Sequence, residues 1–117
     1  IGPFIPQRDT PFRDVPAGSG ELTVFLLSVI RLIKPNILLP ATTALGTIME
    51  NGREQGILAG ANVVMPNLSP LSERKKYSLY DNKIYSSEES AQSVSTLRDH
   101  IRSIGYQIVT AKGDIIK

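Results

Sequence analysis

Residues 36–47 read NILLPATTALGT: an apolar run over 37–39 breaks at Pro40 and gives way to small residues around two adjacent hydroxyls, Thr42 and Thr43. A short buried strand that ends in polar residues and then passes into a helical pattern is how a β/α unit delivers chemistry at the carboxyl end of its strand. The same order recurs on both sides of this stretch. Upstream, residues 1–5 open IGPFIPQRDTP; downstream, residues 62–65 sit within AGANVVMPNLSP. Each run is apolar, is broken by proline and continues in small polar residues.

Three such runs predict consecutive βα units. The expected fold is α/β: the C-terminal part of a TIM-type (β/α)₈ barrel, about three units on a parallel sheet, closed by a C-terminal helix and a short hairpin. A full barrel takes about 250 residues, so a 117-residue chain holds only part of one. The expectation is therefore a single partial domain over 1–117, the tail of something larger, with βα units over 1–80 and the helix and tail over 81–117.

Between the runs the signals are uneven. Residues 7–20, with Pro11, Pro16 and a Gly18/Gly20 end, read as a loop longer than the roughly 2–6 residues usual in a βα connection. It is either an active-site wall or a solvated excursion. Leu22, Phe25, Leu26, Val29, Ile30 and Ile33 recur at helical intervals and predict a helix with that face against a sheet, stopped by Pro35. A short helix is expected over 52–59, closed by Gly60 in the left-handed conformation. Further on, a charged helix over 71–79 and a turn at Asp81-Asn82 precede residues 83–85. A last helix is expected from Ser86, capped with Glu89, carrying Val94, Leu97, Ile101 and Ile104, and ended by Gly105. Residues 107–110 and 114–116 flank Ala111-Lys112-Gly113 as a small hairpin or extended tail.

Composition excludes several classes of function. Hydrophobic residues make up 41% and charged residues 21%, as in globular domains, and a net charge of +2 with interspersed signs draws neither nucleic acid nor an anionic membrane. The absence of cysteine removes disulfides, thiolate metal sites and a cysteine nucleophile together. The most apolar stretch, 22–33, is interrupted by Thr23, Ser28 and Arg31 and is too short for the roughly 20 residues of a bilayer span. With no signal-peptide pattern at its start, the default location is the cytoplasm.

Several side chains are candidates for a site, each with a plainer alternative. Thr42 and Thr43 present hydroxyls where small neighbours leave room for a ligand, or they hydrogen-bond the backbone of their own loop. Met65 lines a cavity or fills core, and Asn67 grips a substrate or caps a turn. Tyr77 and Tyr80, three apart, reach a buried ligand or pack on the surface. Arg53 and Glu54 read as a solvated ion pair, and His100 as flanking the apolar stripe of its helix. None of these forms an acid–base pair, a nucleophile triad, a phosphate loop or a metal spacing.

The strings say more than the chemistry. GPFIPxxDTP at 2–11, PATTALGT at 40–47 and AGANVVMPNLSP at 59–70, in that order, resemble the C-terminal portion of the FeFe-hydrogenase H-cluster maturases of the HydE type. These belong with biotin synthase among the radical S-adenosylmethionine enzymes. The likeness runs from Ile1 to about Tyr80, with a weaker echo in IGYQIVTAKGD.

The resemblance implies a (β/α)₈ barrel whose other half carries a CxxxCxxC loop and one 4Fe-4S cluster, which reduces S-adenosyl-L-methionine to methionine and a 5′-deoxyadenosyl radical. It implies that Thr42, Thr43, Met65, Pro3 and Phe4 line the cofactor cavity, that Asn67, Tyr77 and Tyr80 border a small-molecule substrate, and that no residue here is itself catalytic. Iron in such clusters is held by thiolates. A chain without cysteine is therefore expected to lack the cluster and to be inactive alone. Biotin synthase-like and methylornithine synthase-like enzymes are the alternatives within the class, and a non-catalytic, barrel-derived interaction module is the alternative outside it. Two departures stand out: Gln7-Arg8 replaces the His-Pro that often precedes Asp-Thr-Pro, and residues 85–93 offer no cysteine for an auxiliary cluster. Strand edges left unpaired in a partial barrel predict self-association.

Overall fold

In the computed structural model, residues 1–74 and 90–114 are described. They form five helices: α1 (Gly20–Ile33), α2 (Thr43–Ile48), α3 (Gly52–Leu58), α4 (Leu71–Arg74) and α5 (Ser90–Ser103). The expected parallel sheet does not form among the described residues. Among the described residues no strand forms, and an isolated parallel bridge between Pro40 and Val63 is what remains of the three predicted βα units of the barrel.

Hydrogen bonding explains the correction. A parallel ladder needs evenly spaced bonds along several residues of both strands. Here Leu39 O accepts from Asn62 N (2.8 Å) and Val63 N (3.2 Å), and Ala41 N donates to Val63 O (2.9 Å). The pairing goes no further, because Pro40 has no N–H and the N–H of Leu39 is taken by the side chain of Asn62 at 2.8 Å. At the first run, Phe4 O accepts from Gly18 N (2.8 Å), which closes the 7–20 loop instead of joining a ladder. Of the small hairpin or extended tail expected at the C-terminus, residues 107–114 form no strand, and residues 115–117 lie outside the described residues.

The core gathers the helices around the bridge. Leu27 of α1, Leu39, Ala41, Leu45 of α2, Ile57 of α3, Ala61, and Leu97 and Ile101 of α5 are buried together. Two glycines make this approach possible. A side chain at Gly52 would collide with the carbonyl of Leu45, and Gly60, at φ +122°, lies where a methyl group would meet Arg31 Cβ at 2.8 Å.

Helix α1 forms where periodicity predicts it, capped by Ser19, whose Oγ accepts from Leu22 N at 3.1 Å. Its orientation is not the predicted one. Leu22, Phe25 and Ile33, expected against a sheet, are 55%, 61% and 70% exposed, and Thr23 and Leu27 are buried instead. The helix is apolar almost all round, so periodicity alone cannot choose its inner face. Arg31 makes the choice, one turn after Leu27: its Nε donates to Gly60 O (2.7 Å) and its Nη1 to Pro35 O (2.5 Å), which ties that stripe to the end of α3. Thr23 is accommodated inside because its hydroxyl donates to Ser19 O at 2.8 Å.

The other helices fit their sequence signals better. α3 ends at Gly60 as expected. α5 buries Leu97 and Ile101, half-buries Val94 and Ile104, and stops before Gly105 at φ 88°. The expected start at Ser86 with Glu89, the Asp81-Asn82 turn, residues 83–85 and most of the 71–79 helix lie outside the described residues. No described helix is long and apolar enough to cross a membrane.

Candidate functional site

The bridge fixes the geometry that matters for a site. Because residues 39–41 and 62–63 run parallel, the chain leaves both at the same end, carrying Thr42-Thr43 on one side and Met65-Pro66-Asn67 on the other.

Thr42 is the N-cap of α2: its Oγ1 accepts from Leu45 N at 3.2 Å, and its carbonyl accepts from Gly46 N at 3.3 Å. The plainer reading of this residue is therefore realised. A capping hydroxyl that accepts still has its own proton to donate. Thr43, the first residue of α2, is half-buried, and its carbonyl accepts the hydroxyl of Thr47 at 2.9 Å. The first run comes to the same corner, since a methyl at Gly2 would stand 2.7 Å from Thr42 Oγ1. A methyl at Gly18 would stand 3.0 Å from Phe4 N and 3.4 Å from Pro3, so the end of the 7–20 loop backs Pro3 and Phe4.

Met65 is 56% exposed and is not core filling. Asn67 caps a turn, its Oδ1 accepting from Ser69 N at 3.1 Å. Buried Arg74 holds this turn from behind, with Nε donating to Ser69 O at 2.8 Å and Nη2 to Asn67 O at 3.2 Å. The structure thus brings Gly2 against Thr42 and leads the chain at Thr42-Thr43 and at Met65-Pro66-Asn67 away from the same end of the bridge; it shows no contact of Pro3 or Phe4 with Thr42. Tyr77 and Tyr80 lie outside the described residues.

The expected solvated pair of Arg53 and Glu54 does not exist in that form. Arg53 is buried, and Glu54 Oε1 lies 3.0 Å from His100 Nδ1, across a groove between α3 and α5 that Val24, Asn51 and Ile104 also line. His100 flanks its helix stripe as expected. The 46-residue separation of Glu54 and His100 leaves no local signal for the pair, and nothing in the charged run around Arg74 announces a buried guanidinium.

A site of this kind offers hydroxyl donors, a thioether, an amide and an apolar edge, which suits the polar rim and flat face of a nucleoside. It does not suit a metal cluster. The chain has no cysteine, and among the described residues no group of three His, Asp or Glu side chains is placed to hold an ion.

Comparison with known proteins agrees with the motifs: the chain is related in sequence to enzymes of the radical S-adenosylmethionine class. Over 105 residues, 90% of this chain and 30% of the other, it is 40% identical to the [FeFe] hydrogenase maturase subunit HydE of Thermotoga maritima. Over 91 residues, 78% of this chain and 25% of the other, it is 32% identical to 3-methylornithine synthase of Methanosarcina barkeri. The chain therefore spans less than a third of the length of either curated relative. No protein-family model matches it.

Proposed function

We propose that this chain forms one wall of the S-adenosylmethionine cavity of a radical S-adenosylmethionine enzyme in hydrogenase H-cluster maturation, as a single partial domain of a longer protein in the cytoplasm. The observation that carries the reading is the parallel bridge at Pro40 and Val63, which sends the two polar corners to one end, in a chain 40% identical to a HydE maturase over most of its length.

In this reading Thr42 and Thr43 donate to ribose or adenine acceptors, Met65 packs its thioether on the adenosyl group, and Pro3 and Phe4 form the apolar edge. Asn67, with Tyr77 and Tyr80, borders a small-molecule substrate. S-adenosylmethionine, when bound, supplies a reducible carbon–sulfur bond; the residues of this chain bind and orient it. The 4Fe-4S cluster belongs with cysteines outside these 117 residues, since none is present to ligate it. The chain alone is accordingly inactive. A substrate closer to that of 3-methylornithine synthase is the second reading, supported by the 32% match.

Isothermal titration with S-adenosylmethionine tests this. Saturable binding is expected, weakened about tenfold in Thr43→Val, equivalent to loss of one well-placed hydrogen bond of about 1.4 kcal/mol, with the circular dichroism unchanged. Titration without heat, or equal affinity in the variant, contradicts the reading.

Self-association is part of the same proposal. Among the described residues no sheet edge forms to seat it; the exposed Leu22, Phe25, Leu32 and Ile33 of α1 offer apolar surface instead.

A further inference from the structure

We infer that Asn62 is a positioning residue for the proposed cofactor cavity: its side chain locks the two polar corners level with each other. The inference rests on the reading of those corners as one site and adds the residue that sets their spacing.

Asn62 meets the backbone of Leu39 twice. Its N–H donates to Leu39 O at 2.8 Å, and its side-chain Oδ1 accepts from Leu39 N at 2.8 Å. The side chain thus supplies an acceptor where a longer parallel ladder would supply a carbonyl. The pairing keeps an offset of 23 residues, 39 with 62 and, at the bridge, 40 with 63. Carried two residues further, the same offset sets Thr42 level with Met65. The register held at Asn62 is therefore the register of the corners.

Little else fixes that register. Pro40 has no N–H to give, and among the described residues the other backbone bonds between the two runs are Ala41 N to Val63 O (2.9 Å) and Val63 N to Leu39 O (3.2 Å). Arg31 holds Gly60 O, and Gly56 O holds Ala61 N, but these tie the segment to α1 and α3 and not to the 39–41 run. A slip of two residues, the smallest that keeps the same side chains inward, would carry Met65 about 7 Å along from Thr42. That exceeds the reach of a hydrogen bond, so a ligand held at one corner would lose the other. Leu39 is 4% exposed, so without this acceptor its N–H would be an orphan inside the core. Asn62 itself is exposed, and its side chain is replaceable without disturbing the packing.

Amide hydrogen exchange and titration with S-adenosylmethionine test this together. In Asn62→Ala, exchange at Leu39 and Ala41 is expected to quicken about tenfold, and affinity to fall about tenfold with amide shifts confined to one corner. In Asn62→Asp, whose carboxylate accepts the same bond, both are expected to stay within about twofold of the wild type. Asn62→Gln, which moves the acceptor out by one methylene, is expected to follow Asn62→Ala and takes its place if the alanine chain does not fold. Ile101→Val, a loss of core packing in α5, is expected to lower stability and leave affinity unchanged. Wild-type exchange and affinity in Asn62→Ala or Asn62→Gln overturn the inference, as does a failure of Asn62→Asp to recover them. Equal loss of affinity in Ile101→Val overturns it by making stability alone the cause. A wild-type chain that binds no S-adenosylmethionine removes the cofactor reading by itself, and exchange at Leu39 and Ala41 then decides whether Asn62 sets the register.

Discussion

The corners at 41–43 and 65–69 begin alike, as an apolar run meeting proline, and are held by different means. At the first, the chain passes at once into α2, so Thr42 is fixed as a helix cap and Leu45 is buried in the core one turn later. At the second, Met65 stays exposed, and the turn at Asn67 is gripped by the guanidinium of Arg74 from the following short helix. The difference teaches that one corner is fixed because it belongs to the core, while the other is fixed by local side-chain bonds, those of Asn67 and Arg74 among them.

The largest effect that would sharpen this contrast is Leu45→Ala. It removes a fully buried side chain beside Gly56 and Leu27, and is expected to cost about 3 kcal/mol in urea unfolding, reporting on the whole molecule. Arg74→Met is next. Loss of its two bonds to Ser69 and Asn67 carbonyls is expected to cost about 2 kcal/mol. The loss should appear as faster amide hydrogen exchange confined to 67–74, with exchange in α1 and α3 unchanged; a uniform rise would break the contrast.

Thr42→Ala comes third, at about 1 kcal/mol for a lost cap, and Thr42→Ser should recover most of it in thermal melts. The smallest effect is expected from Met65→Leu. An exposed, volume-conserving change should leave stability within about 0.5 kcal/mol. A larger loss would mean that the second corner is packed as tightly as the first.

The same contrast explains what could be read in the sequence. Helices whose apolar residues are bordered by polar ones were legible: α5 buries Leu97 and Ile101, as its spacing requires, and Gly60 and Gly105 end α3 and α5 with positive φ. α1 was legible as a helix but not as to its face, because two apolar stripes compete and the decision comes from Arg31 reaching carbonyls at Pro35 and Gly60. The sheet was misread because the apolar runs have strand composition, yet the proline at 40 and the side chain of Asn62 remove the N–H groups a ladder needs. At the site, Thr42 and Asn67 were readable both as ligand groups and as caps, and each does cap. The Glu54–His100 contact was not readable, since it depends on distant segments meeting in space, and Arg74, whose bonds reach back only to Ser69 and Asn67, looks in sequence like its charged neighbours.

The most direct test of the central claim, that both corners serve one ligand, is a nuclear magnetic resonance titration of the labelled chain with S-adenosylmethionine. Amide shifts at 42–46 and at 64–67 are predicted to move together along one saturation curve. Shifts confined to one corner, or centred on Glu54 and His100 in the groove between α3 and α5, would contradict it.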